Sequence, residues 1–296
     1  TAAVPDDGRY GTLDGVPAAA EDPRHITTVD FQLNGRGYTA DQRSQLFVVD
    51  LPDPGDEPPV TPVGRAAQAE ADNGTKTPLV PEARQLTEGD FDHREPVAVG
   101  ESVIVVSARH EGRDADLRAD LYRVELATGD AVLLTDPDVI GTKLAVSSPV
   151  VLWGDLWFLA ADLGPAGRDH VATNAAVWRM PAGGGPAVRL TEPSGLDFVH
   201  LEADPTDGVV LAVLAERGTG VPVAFAPDGS WTRREVPAGA SVTELAGAGG
   251  HAVAAVITPS SPGEVAVVGT EPRLLTDFSA GLREVADPLP TRELIA

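Results

Sequence analysis

A Leu-Thr dipeptide closes an apolar run four times along this chain, at Leu86-Thr87, Leu134-Thr135, Leu190-Thr191 and Leu275-Thr276. The first two spacings are 48 and 56 residues, and the third is 85. The long gap is about twice a unit of roughly 43 residues, with a degenerate end near Arg234-Glu235-Val236. Between Arg84 and Thr135 the apolar runs are Pro96–Val99, Ser102–Ala108, Asp120–Leu126 and Ala131–Thr135, short, rich in β-branched residues and bounded by Gly, Pro or Asp. Such runs read as strands rather than helices. The Thr128-Gly129-Asp130 turn between the last two suits antiparallel strands, with Gly129 free to take a positive φ. Four short strands repeated at this period predict an all-β fold, a β-propeller of four-stranded antiparallel blades with about five blades present.

Three further units follow the same order. The third unit runs through 146–152, 155–160, 175–180 and 187–191, with a Gly-rich turn at Gly183-Gly184-Gly185. The fourth runs through 198–202, 208–215, 221–225 and 230–236, with an Asp228-Gly229 turn. The fifth runs through 242–246, 251–257, 264–268 and 273–276. The second run of each unit is almost wholly apolar, as in Val103–Val106 and Leu156–Ala160. Strands covered on both faces lose the period-2 pattern. Val209 to Arg217 has helical length, but its place in the repeat assigns it to a strand. Residues 1–23 read as an extended lead-in, 24–278 as blades, and 279–296 as a C-terminal linker. Asn34-Gly35 predicts a hairpin. The segment 52–82, with seven prolines between Pro52 and Pro81, reads as a long loop holding one or two helical turns at 66–71.

Composition removes several classes of function. With no cysteine, a disulfide framework, a thiol nucleophile and a Cys-ligated metal are excluded. The formal net charge of -23, from 45 acidic and 22 basic residues, repels phosphate backbones, so nucleic acid is not an expected partner. No apolar run approaches the ~20 residues that span a bilayer, so no membrane partner is expected either.

The repeat Arg-x-Leu-Thr, then Pro, then a strand ending Ser107-Ala108-Arg109, then Leu121-Tyr122-x-Val124 and a Gly turn, resembles the TolB-like propeller repeat. Gly8–Thr12, Gly37–Asp50 and Gly89–Asp114 resemble more closely the propeller of prolyl oligopeptidase-family serine peptidases, the branch with acylaminoacyl peptidases and dipeptidyl aminopeptidases. Two departures stand out. The Ser-Pro-Asp-Gly turn common in such repeats is reduced to Val99-Gly100-Glu101 and Trp153-Gly154. The Gly-x-Ser-x-Gly nucleophile elbow of the α/β-hydrolase half occurs nowhere in the 296 residues. Family propellers have seven or eight blades, so the chain is either part of a larger peptidase or a small five-bladed propeller. The resemblance implies a non-catalytic, substrate-gating domain acting with a hydrolase domain of the same parent protein on short peptides, located in the cytoplasm. A stand-alone TolB-like propeller for protein binding is the alternative reading, and a propeller lactonase or glycosidase a third.

Two clusters carry candidate chemistry. The loop from Arg109 to Asp120 holds Arg109, His110, Arg113 and Arg118, whose forked or ring donors suit a peptide carboxylate; it reads equally as a salt-bridged surface loop. Asp90, Asp92 and His93 lie between one blade and the next, where connections line the mouth of a propeller channel; such residues are more often turn formers that cap neighbouring amides. The other histidines lack metal-binding spacing, and no serine has a base near it in sequence, so no catalytic residue, metal or cofactor is expected.

Overall fold

The computed structural model describes residues 1–5, 25–34, 37–40, 42–51, 63–73, 82–192 and 194–286, together with Gly15, Pro17, Ala20 and Gly55. It divides into two compact units, residues 1–94 with 125–130, and residues 95–124 with 131–296.

The first unit contains β1 (Ala2–Pro5), β2 (Gln32–Leu33), β3 (Gly37–Tyr38), β4 (Gln42–Gln45), β5 (Phe47–Val49), α1 (Arg65–Asn73) and β6 (Ala83–Gln85). β2 and β3 form the hairpin expected around Asn34-Gly35, with Gly35 itself outside the described residues. β1 pairs antiparallel with β4, and β5 with β6, so the lead-in contributes a strand. α1 spans nine residues, extending the helical turns expected within 66–71; most of the Pro-rich segment around it lies outside the described residues.

Four complete four-stranded antiparallel blades follow. Blade A is β7 (Arg94–Val99), β8 (Ser102–Ser107), β9 (Asp120–Glu125) and β10 (Ala131–Leu133). After the one-turn α2 (Pro137–Ile140), blade B is β11 (Leu144–Leu152), β12 (Asp155–Asp162), β13 (Ala176–Pro181) and β14 (Val188–Arg189). Blade C is β15 (Asp197–Asp204), β16 (Val209–Glu216), β17 (Thr219–Phe225) and β18 (Trp231–Arg233). Blade D is β19 (Ser241–Ala248), β20 (His251–Thr258), β21 (Ser261–Val268) and β22 (Arg273–Leu274), with α3 (Ala280–Val285) after it. Each blade is a meander in chain order. The apolar stretch 209–216 is a strand, hydrogen-bonded to neighbours on both sides.

Burial explains the missing alternation in the second strands. Leu156, Phe158 and Ala160 of β12 pack into a core shared with blade A, and Trp157 and Leu159 into a core shared with blade C. In β16, Val210, Ala212 and Leu214 face blade B while Leu211 and Val213 face blade D. Period-2 geometry is intact, but both faces are dry, so both sets of positions are apolar. The eroded hairpin turns have a local cause too. Trp153-Gly154 and Gly249-Gly250, each between the first and second strands of its blade, take two consecutive positive φ values, the type I′ conformation that matches strand twist, while at Val99-Gly100 Gly100 alone does. They therefore do the work expected of Ser-Pro-Asp-Gly with different residues.

The recurring Leu-Thr dipeptide acts as a lock on the outer strand. In blade A, Leu134 N–H donates to Leu121 O at 2.8 Å, and Leu121 N–H donates to Thr135 Oγ1 at 3.0 Å. The same exchange joins Leu190-Thr191 to Val177 and Leu275-Thr276 to Val265. In the first unit it joins Leu86-Thr87 to Leu46. The hydroxyl caps an N–H that the ladder leaves open, which matters because a buried unpaired N–H costs about 1–3 kcal/mol. In three of the four, the hydroxyl then donates to the residue before that N–H: Gln45, Asp120 or Glu264. Blade C lacks the Thr, and its reason is visible. The residue facing Arg234 there is Pro222, which accepts from Arg234 N–H at 2.8 Å but has no N–H to cap.

Candidate functional site

The loop between β8 and β9 brings its charged residues together around buried acids. The Asp116 side chain, only 7% exposed, accepts from His110 Nε2 at 2.7 Å, Lys143 Nζ at 3.0 Å and Arg118 N–H at 3.2 Å. Burial pushes the Asp116 carboxyl up, but hydrogen bonds from Lys143 and His110 outweigh it and hold it below its ordinary range. Arg118 Nε lies 2.8 Å from Asp120 Oδ2, an ion pair whose N–H is poorly aimed for a hydrogen bond. Asp120 is fully buried, and its carboxyl is raised because desolvation exceeds the help from Arg118 and Thr135. Arg109 stacks 4.9 Å above the Tyr122 ring, and burial lowers its guanidinium against the pull of Tyr122. Arg113 is half-buried. Arg168 Nε donates to Ala115 O and Leu117 N–H to Gly167 O, tying the loop to the one after β12. The charged ends of Arg109, His110 and Arg118 thus face partners inside the protein.

In the first unit, Asp90 and Asp92 converge on Arg43, with Nε 2.8 Å from Asp90 Oδ1 and NH1 3.4 Å from Asp92 Oδ2. Asp92 also accepts Ser44 N–H at 2.7 Å, and a 320 Å³ hollow beside Arg43 includes Asp90 but not His93. His93 is fully buried, its Nδ1 3.1 Å from Ser44 O. These residues brace β4 against the 88–93 turn. Among the described residues no group of three His, Asp or Glu side chains is set to hold a metal.

A third site emerges only from the fold. The first strands β7, β11 and β15 border an open groove of about 580 Å³. Its apolar walls include Pro96, Val97, Pro149, Val151 and Leu201; its charged residues are Glu95, His200 and Glu202. The backbone here is irregular. Bulges interrupt β11 between Ser147 and Val150 and β15 between Phe198 and His200. Glu95 and Ser148 hold φ of 52° and 49°, and Glu95 Oε2 accepts Ser148 N–H at 2.5 Å. Bulges and left-handed non-Gly residues re-aim side chains and gather where proteins bind ligands. His200 faces an acceptor with each nitrogen: Nδ1 is 3.2 Å from Glu244 Oε2, and Nε2 3.3 Å from Leu245 O. Burial raises the Glu202 carboxyl, opposed by His200 and reinforced by Asp204.

None of the groove's charged residues was singled out from sequence. The available signal was Glu95-Pro96-Val97 and Ser148-Pro149-Val150, the same x-Pro-Val at the same place in two successive units.

Among solved structures, the chain is similar to an uncomplexed acylaminoacyl peptidase from Pyrococcus horikoshii, with TM-score 0.60 and 14% identity over 90% of this chain and 36% of that one. The fold is that of a β-propeller. An acylaminoacyl peptidase in complex with Z-Gly-Gly-Phe-chloromethyl ketone aligns with TM-score 0.59 and 13% identity, over 90% of this chain and 35% of that one. An orthorhombic crystal form of the Pyrococcus horikoshii enzyme aligns at 0.59 and 12%, over 89% and 36%. The chain spans about a third of the length of these peptidases, and the likeness is one of architecture. No family model matches the sequence, and no curated protein matches it. Among the described residues no helix is long and apolar enough to cross a membrane.

Proposed function

We propose that this chain is the non-catalytic, substrate-gating propeller of a prolyl oligopeptidase-like serine peptidase that acts on short peptides. One observation carries the reading: 90% of the chain shares its architecture with acylaminoacyl peptidases while covering about a third of them. The lack of any Gly-x-Ser-x-Gly agrees with it, because the bond-breaking serine then belongs to a hydrolase domain acting as partner. The physical basis of gating is stiffness. Blades whose two faces are buried in shared cores do not part without exposing apolar surface, so a folded protein is kept out and an extended peptide is not. The loop with Arg109, His110, Arg113 and Arg118, and the turn with Asp90, Asp92 and His93, remain candidate contacts in this reading. The groove on β7, β11 and β15 is the stronger one, because the charged ends of Arg109, His110 and Arg118 are engaged inside the protein and His93 is buried, whereas Glu95 and Glu202 line an open groove.

Kinetics test the proposal. This chain alone should leave aminoacyl-p-nitroanilides intact. The polypeptide translated from the whole reading frame that contains it should cleave them, and should spare the same peptide bond within a folded protein. Equal kcat/KM on the folded and the short substrate would sink the gating role.

A further inference from the structure

The groove on the first strands has a chemical bias beyond its size. Glu95 on β7 and Glu202 on β15 stand on either side of the middle strand β11. The walls between them are apolar, through Pro96, Pro149, Val151 and Leu201. Among the residues lining it none is Arg or Lys, and the one ring able to carry positive charge, His200, is turned to Glu244 and Leu245 O. The Glu95 carboxylate gives one oxygen to Ser148 N–H and keeps the other for a ligand.

We propose that this groove binds the basic side chain of an extended peptide, an Arg or Lys whose aliphatic stem lies on the apolar walls and whose charged head meets Glu95 and Glu202. Long basic side chains have this division between apolar stem and charged tip. Carboxylates flanking an apolar strip match it, and the surrounding charge of -23 adds long-range attraction for cations. A peptide amino terminus shares the charge but lacks the stem. The groove crosses three neighbouring strands, which suits a chain passing over it. The held backbone of Glu95 and Ser148, at positive φ, fixes one carboxylate in place before the ligand arrives. The elevated titration of Glu202 agrees with a site awaiting a counter-charge. The inference names a substrate class for the gating role and rests on that reading, but binding to this chain can be measured without any hydrolase.

The test is calorimetric titration of the chain with an N-acetylated, C-amidated pentapeptide holding one central Arg in alanine. Two comparison peptides are the same one with citrulline for Arg, and an uncapped penta-alanine. The Arg peptide should bind, the citrulline peptide about tenfold more weakly or not measurably, and penta-alanine likewise. E202Q and E95Q should each weaken Arg-peptide binding about fivefold, Gln at 95 still accepting from Ser148. E111Q, in the exposed loop after β8, should leave binding unchanged, and near-ultraviolet circular dichroism should show all three variants folded. Affinity should rise as pH is raised through the Glu202 titration, because ionised carboxylate is the binding form. Equal binding of the Arg and citrulline peptides, indifference to both Gln variants, no binding of the Arg peptide, or tighter binding of penta-alanine would each overturn the assignment. Those outcomes leave the gating role to its own kinetic test.

Discussion

Blades A and C close their outer strands differently. In blade A the Leu121 N–H is capped by Thr135, whose hydroxyl in turn donates a hydrogen bond to the buried Asp120. In blade C the equivalent residue is Pro222, and the position of the Thr is taken by Glu235, exposed to solvent. The Thr is thus kept where an N–H would otherwise be orphaned and lost where proline has removed that N–H. The difference teaches that the faded repeat near Arg234-Glu235-Val236 is not decay of the blade. It marks a second solution to the same hydrogen-bonding problem.

The comparison can be broken or sharpened by substitution. The largest effect is expected at the seam beside the proline: an added Cβ at Gly220 would lie 1.9 Å from Val242 O, a backbone atom with little room to move. G220A should therefore cost about 3 kcal/mol in urea unfolding. Next, T135V should cost about 2 kcal/mol, since it strands the Leu121 N–H and a buried Asp120 oxygen together. E235V, at the same place in blade C, should stay within about 0.5 kcal/mol of wild type. If T135V and E235V cost the same, the lock is not what holds the outer strand. P222A should then cost about 1 kcal/mol by creating the missing donor, and P222A with E235T should recover most of it. A double-mutant cycle with no coupling would contradict the equivalence of the two positions.

The effect most diagnostic in acid concerns the carboxylates beside the lock. Glu264 of blade D accepts from Ser261, Thr276 and the N–H groups of Phe278 and Ser279. Its carboxyl is held down to about 2, chiefly by the Thr276 hydrogen bond against the opposing effect of desolvation, with the two backbone donors adding to it. An acid depressed in the folded state adds stability above its unfolded pKa of 4.5 and loses it as pH falls through about 2. Asp120 of blade A is raised instead, by burial, so it contributes no such acid loss. Stability should fall between pH 4.5 and 2, and E264Q should flatten that slope while D120N should not. Equal slopes in E264Q and wild type would remove Glu264 from the account.

Much of the fold was legible in the chain because its determinants are local. Strand lengths and the Thr128-Gly129-Asp130 turn lie within a single blade, and the Leu-Thr dipeptide repeats once per blade in all but one. Gly129 takes the positive φ expected of its turn, 79°, though the contact that excludes a Cβ there, Leu86 O at 2.1 Å, comes from the preceding sheet and was not legible locally. The site was less legible because it is made of neighbours distant in sequence. Glu95 and Glu202 share a groove only because β7, β11 and β15 are the first strands of successive blades. The charged loop at 109–120 was visible as composition, but composition could not show that Asp116, Asp120 and Tyr122 already engage His110, Arg118 and Arg109.

The claim that this chain guards chemistry performed elsewhere is tested most directly by labelling with a fluorophosphonate probe. The polypeptide from the complete reading frame would be reacted, digested and sequenced by mass spectrometry. The account predicts one labelled serine, lying outside residues 1–296. A labelled serine within them, or none anywhere in the polypeptide, would contradict it.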